Sequence, residues 1–106
     1  MDIRIEYNSY NQRRYSRPWI SKVTNWPAGQ RPTIEWGQYE GDDNGGEVVM
    51  IAQPGDIIRH GQKDNRGNNS SRDWYIVSGS GELAPTTEAE AHKSYNNRKQ
   101  EVTANA

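Results

Sequence analysis

Aliphatic residues are scarce in this chain, and half of the Ile, Leu and Val fall in one stretch, Val48–Val77. It contains an apolar run (Val48-Val49-Met50-Ile51-Ala52), a turn (Gln53-Pro54-Gly55-Asp56) and a second run (Ile57-Ile58). A polar loop (Arg59–Arg72) and a third run (Trp74-Tyr75-Ile76-Val77) complete it. Any core has to nucleate on these runs. Ile, Leu and Val total only 14 of 106 residues and there is no Phe, a level at which disorder is often expected. Two features argue for a folded domain instead. A net charge of −1 produces little self-repulsion. Four Trp and six Tyr each add roughly 150–250 Å² of buriable surface.

β-Branched and aromatic residues dominate the apolar set, which favours strands. Ile3–Tyr7 alternates apolar and polar side chains, as a half-buried strand does. Trp19–Trp26 is a second strand, with Trp19, Ser21 and Val23 on one face and Ile20, Lys22 and Thr24 on the other. Thr33–Tyr39 is a third, with Ile34 and Trp36 on one face and a bulge at Gly37. Val48–Ala52, Ile57–His60 and Asp73–Ser78 follow, and Glu82–Ala84 is a brief edge return. Pro54-Gly55 suits a type II turn. Thr87 with Glu90 three residues later is a capping box, so a helix is expected over about 88–98. The expected fold is mainly β, a β-rich α+β domain. Five or six mostly antiparallel strands form a sheet or small barrel, with one C-terminal helix. Residues 1–99 make one domain, and 100–106 are expected to be a disordered tail.

The absence of cysteine excludes disulfides and thiolate chemistry. The chain opens Met1-Asp2-Ile3-Arg4-Ile5 without the apolar run of a signal peptide. No segment approaches a membrane span. A cytoplasmic protein without membrane contact is the expectation.

Two basic stretches are candidate binding surfaces. Arg13, Arg14, Tyr15 and Arg17 lead into Pro18-Trp19, and arginines interleaved with rings can hold phosphates while bases stack. Arg59, His60, Lys63, Arg66 and Arg72 lie in a long Asn- and Gly-rich loop, a kind of segment that is usually functional or unstructured. The two stretches are expected to converge on one basic face if they bind together. Each equally suits a solvated loop whose arginines pair with nearby acids. Glu40, Asp42, Asp43 and Glu47 form an acidic turn, a possible patch for a protein partner; their spacing does not meet the EF-hand pattern. With two histidines and no cysteine, neither a metal nor a cofactor is expected. Trp19, Trp26, Trp36 and Trp74 are assigned to the interior, Tyr10, Tyr15 and Tyr39 to the surface, and His92 to the exposed side of the helix.

In its small size, lack of cysteine and Gly/Asn/Arg-rich loops the chain resembles small proteins carried by phages and other mobile elements. The first functional reading is a non-enzymatic module contacting nucleic acid through the basic and aromatic residues named above. The alternative is a protein-binding effector, an inhibitor or adaptor acting on a host protein. A third is a small hydrolase centred on His60 and Asp56.

Overall fold

The computed structural model describes residues 2–8, 17–42, 45–63 and 73–104. Eight strands and a helix follow in order: β1 (Ile3–Asn8), β2 (Arg17–Asn25), β3 (Thr33–Trp36), β4 (Gln38–Asp42), β5 (Gly45–Ala52), β6 (Ile57–Lys63), β7 (Trp74–Val77), β8 (Leu83–Thr86) and α1 (Glu88–Ala104). The strands form a three-stranded sheet, β1-β5-β4, and a five-stranded sheet, β3-β2-β6-β7-β8, antiparallel throughout. The β-rich class, the antiparallel pairing and the C-terminal helix are those the sequence implies.

The layers follow from the period-2 alternation of the strands. Ile5, Ile20, Val48, Met50, Ala52, Ile58 and Val77 fill the space between the sheets. The opposite face of the five-stranded sheet buries Trp26, Ile57 and Trp74 with Ala91 of α1, and Val23, Ile76 and Tyr95 pack against them. Adjacent residues therefore serve different layers: Ile58 and Val77 face the other sheet, whereas Ile57 and Ile76 face the helix. Rings make up for the missing aliphatics. Trp26 is stacked between Trp74 (5.0 Å) and His92 (4.4 Å). His92 Nε2 donates to the Trp26 carbonyl oxygen (3.3 Å), so His92 is half-buried and not on the exposed side of the helix.

Helix α1 starts where its cap predicts. The Glu90 N–H donates to Thr87 Oγ1 (3.2 Å), one arm of the capping box. Its far end is moored by Arg98 Nη1 to Asp56 Oδ1 (2.9 Å) and by the Tyr95 hydroxyl to Asn25 Oδ1 (2.9 Å). Asp56 closes the β5–β6 turn: its N–H donates to the Gln53 carbonyl (3.0 Å), and its Oδ2 accepts from the Gln53 N–H (2.7 Å). Gly55 takes the left-handed conformation (φ 92°) that this turn requires at its third position. The helix continues to Ala104, past the expected end near Arg98. Apolar periodicity stops near Arg98, but Lys99, Gln100 and Glu101 are good helix formers and propagate a helix already begun.

Several strand assignments change. Glu40, Gly41 and Asp42 end β4 and pair with Glu47, Gly46 and Gly45 at the start of β5, so the acidic segment expected as a turn is strand at its described positions; Arg17 and Pro18 likewise begin β2. Polar Gly61, Gln62 and Lys63 belong to β6, because they pair with Trp19, Pro18 and Arg17 of β2. Thr33–Tyr39 is not one bulged strand. It divides at Gly37 into β3, in the five-stranded sheet, and β4, in the three-stranded sheet. The Gly37 N–H donates to the Ile20 carbonyl (2.8 Å). A Cβ at position 37 would stand 2.2 Å from Ile20 Cγ2 and 2.8 Å from the Val49 carbonyl oxygen. Only glycine lets the backbone pass this close to β2 and β5 together.

Gly37→Ala is therefore expected to lower unfolding stability by about 2 kcal/mol or more, the scale of core overpacking. Gly79→Ala, where an added Cβ meets nothing within 4 Å, serves as the near-neutral control. Urea unfolding of both variants measures the difference.

Candidate functional site

The outer face of the five-stranded sheet is only partly covered by α1. Strand register lines up Trp36 (β3), Ser21 (β2), Arg59 (β6), Trp74 (β7) and Thr86 (β8) across it. Next to this row run Ile34 and Val23, also register partners. Trp19, two residues before Ser21, lies on the same face with Gly61 as its β6 partner, so no side chain from that strand crowds it. Trp19, Ser21, Val23, Ile34, Trp36, Arg59 and Trp74, with Arg31, Pro32 and Glu88, line an open groove of about 580 Å³, within the usual range for ligand sites.

In this row the small Ser21 stands between Trp36 on one side and Arg59 and Trp74 on the other. Trp36 is 63% exposed, and its ring meets Trp19 edge to face at 6.0 Å. Ser21 is buried and lines the floor of the groove. Beyond it, the Arg59 guanidinium lies over the Trp74 ring, 4.4 Å from its centroid. A cation on an indole face gains from the ring quadrupole. No described carboxylate pairs with Arg59. Its Nε and the Trp19 Nε1 are buried with no hydrogen-bond partner among the described residues. The groove thus sets aromatic walls beside a guanidinium that forms no ion pair with a described carboxylate, and Arg31 and Glu88 also line it.

The expected site residues are distributed as follows. Arg13, Arg14, Tyr15, Arg66 and Arg72 lie outside the described residues, as do Asp43 and Tyr10. Arg17 and Lys63 are register partners, so the strand ends bearing the two basic stretches are neighbours. Arg59 and His60 are adjacent in β6 and point to opposite faces, which separates two residues expected to act together. Arg59 enters the groove. His60 faces the other sheet, stacked between Tyr7 (4.2 Å) and Tyr75 (4.7 Å). Nor do His60 and Asp56 meet: four residues of extended chain, roughly 13 Å, separate them. Asp56 is occupied by Gln53 and Arg98.

Of the acidic residues, Glu40 and Glu47 are register partners on the outer face of the three-stranded sheet; Asp42 is placed by its backbone pairing with Gly45. Glu6 of β1 joins them, held by Arg4 Nε (2.6 Å). That hydrogen bond keeps the Glu6 carboxyl below its ordinary pKa. Desolvation, then repulsion from Glu6, raises that of Glu47. No group of three or more His, Cys, Asp or Glu among the described residues is arranged to hold a metal ion. No described helix is long and apolar enough to cross a membrane.

Of the groove residues only Arg59 is on the sequence-based list of binding residues; Trp19, Ser21, Trp36 and Trp74 all escape it. The expectation that Trp36 is interior is wrong, because the sheet face it shares with Ile34 is left open at β3. Tyr39, assigned to the surface, is half-buried. The available signal was the shared face of Trp19, Ser21 and Val23 next to that of Ile34 and Trp36. Only the register, unknown from sequence, joins them to Arg59.

Burial lowers the pKa of the His60 imidazole, against an opposing pull from Asp73. In the unfolded chain histidine titrates near 6.5. Below about that pH the unfolded chain takes up a proton that the folded one resists, so His60 makes stability fall with decreasing pH until its lower folded value is reached. Urea midpoints at about pH 7.5 and about pH 5.5 are expected to differ more in the native chain than in His60→Phe, which keeps a ring between Tyr7 and Tyr75 but cannot titrate.

No protein-family model, curated protein or solved structure matches this chain.

Proposed function

We propose that this protein is a non-enzymatic binding module that takes single-stranded nucleic acid along the outer face of its five-stranded sheet. One observation carries the reading: the Arg59 guanidinium, over the Trp74 ring and in no ion pair with a described carboxylate, shares a groove with Trp19 and the exposed Trp36. Single strands are bound by rings that stack with bases and cations that meet the backbone phosphates. The groove has both. A guanidinium can meet phosphate through parallel N–H donors and also stack, which an ammonium cannot do. The pairing of Arg17 with Lys63 brings together the strand ends at which the two basic stretches of the sequence meet β2 and β6. A duplex would offer this groove its phosphates but not the faces of its paired bases.

Fluorescence anisotropy with labelled oligonucleotides over a salt series tests the reading. Affinity for single strands is expected to fall with salt by about 0.7 in log–log slope per phosphate contact. Arg59→Ala should weaken binding and flatten that slope by about one contact. Trp36→Ala should weaken it by roughly tenfold with the slope kept, because stacking releases no counterions. Absence of binding at about 50 mM salt overturns the proposal.

A second reading, a protein-binding effector of a phage or mobile element, draws on the Glu6, Glu40 and Glu47 row and on the exposed Ile51 on the same outer face. A partner captured from host lysate, retained after nuclease treatment and released by Glu40→Lys and Glu47→Lys, would favour it over the first.

A further inference from the structure

We infer that the gap above Ser21 is a slot for one nucleobase, sandwiched between the Trp36 indole and the Arg59 guanidinium. The inference rests on the nucleic-acid reading above and specifies how the strand is held.

The geometry follows from the register. Trp36 pairs with Ser21, and Ser21 pairs with Arg59, so the two large side chains stand two strand spacings apart, roughly 10 Å at the backbone. A planar ring between two planar groups needs two contact distances, roughly 7–8 Å. Two stacked rings would need a third, making roughly 11 Å. The slot therefore admits one ring. Trp74 lies against the β7 side of the Arg59 guanidinium, 4.4 Å from ring centroid to guanidinium carbon, and Ser21 stands on its β2 side. Trp19 closes one end, set edge to face against Trp36, and Val23 with Ile34 line the other.

The floor is suited to a base and not to a purely apolar ring. Ser21 lines the groove, and a hydroxyl there can donate to or accept from a base edge. Serine at the one small position in a row of Trp, Arg and Trp is what keeps the slot open. The guanidinium wall carries the charge that a phosphate flanking the base requires.

The test compares a thymidine decamer with a decamer of the same charge whose central nucleotides lack bases, using anisotropy and quenching of tryptophan fluorescence. The native chain is expected to bind the abasic strand at least tenfold more weakly, the lower part of the range for stacking on one aromatic side chain. Ser21→Leu fills the slot and should reduce binding of the normal strand to the abasic level. Ser21→Ala should retain the native preference to within a few-fold. If Ser21→Leu does not fold, as judged by circular dichroism, Trp36→Ala removes one exposed wall and should abolish the same preference. Equal binding of normal and abasic strands overturns the slot and leaves the groove as a phosphate-binding surface. Failure of the native chain to bind either strand overturns both readings. Loss of the preference in Ser21→Ala as well would also overturn the slot, by assigning the effect to the hydroxyl alone.

Discussion

The structure depends on how closely the backbone at Gly37 passes between β2 and β5. The chain leaves the five-stranded sheet at Trp36 and enters the three-stranded one at Gln38. The one residue between them hydrogen-bonds to Ile20, the fully buried centre of the core. A side chain there would push β2 away from β5, the two strands that face each other across the core. Val48, Met50 and Ile58 would then lose their packing against Ile20. A protein with so few aliphatic residues has little spare burial to offset such a gap. The same passage ends β3 after four residues, and this short edge strand leaves Trp36 out of the core and beside an open groove.

Strands β2 and β6 divide their side chains between two tasks. Their inward residues, Ile20 and Ile58, are completely buried and hold the sheets together. Their outward residues change character along the strand. Near the β5–β6 turn, Ile57 packs under α1. Further along, Arg59 and Ser21 lie beyond the Trp26–Trp74 stack and meet the groove. The helix sets this division. It is tied down at the turn by Arg98 and Asp56 and against Trp26 by His92. It covers one part of the sheet and leaves the part next to β3 open. The aromatic groove is thus the uncovered remainder of the surface on which the second cluster is built.

Much of this was legible in local patterns. Alternation in Ile3–Tyr7, the Pro54-Gly55 turn and the Thr87–Glu90 cap each correspond to a feature governed by nearest neighbours. What was not legible depends on partners distant in sequence. Gly61, Gln62 and Lys63 look like loop because nothing in them is apolar; they are strand because β2 lies alongside. Gly37 reads as a bulge because sequence records that a side chain is missing, not what the backbone approaches. Arg59 and His60 look like neighbours in one basic cluster until the strand period sends one to the groove and the other between Tyr7 and Tyr75. Hydrophobicity alone points Trp36 to the core, but burial depends on which sheet face a helix covers.

Arg59 is the residue for which stability is the weakest explanation. Partial burial of a guanidinium costs hydration, and the usual offset is a carboxylate with further hydrogen bonds. None of the described carboxylates supplies it. The contact with Trp74 returns about 0.5–2 kcal/mol, depending on how dry it is. A methionine or leucine at this place would cover Trp74 with no charge to hydrate. On packing grounds alone, then, position 59 favours an apolar residue. An arginine there is accounted for when its charge is met by something outside the fold. In the proposed reading, that is the phosphate next to the base seated over Ser21, and the indole that Arg59 covers is what holds the guanidinium flat enough to receive it.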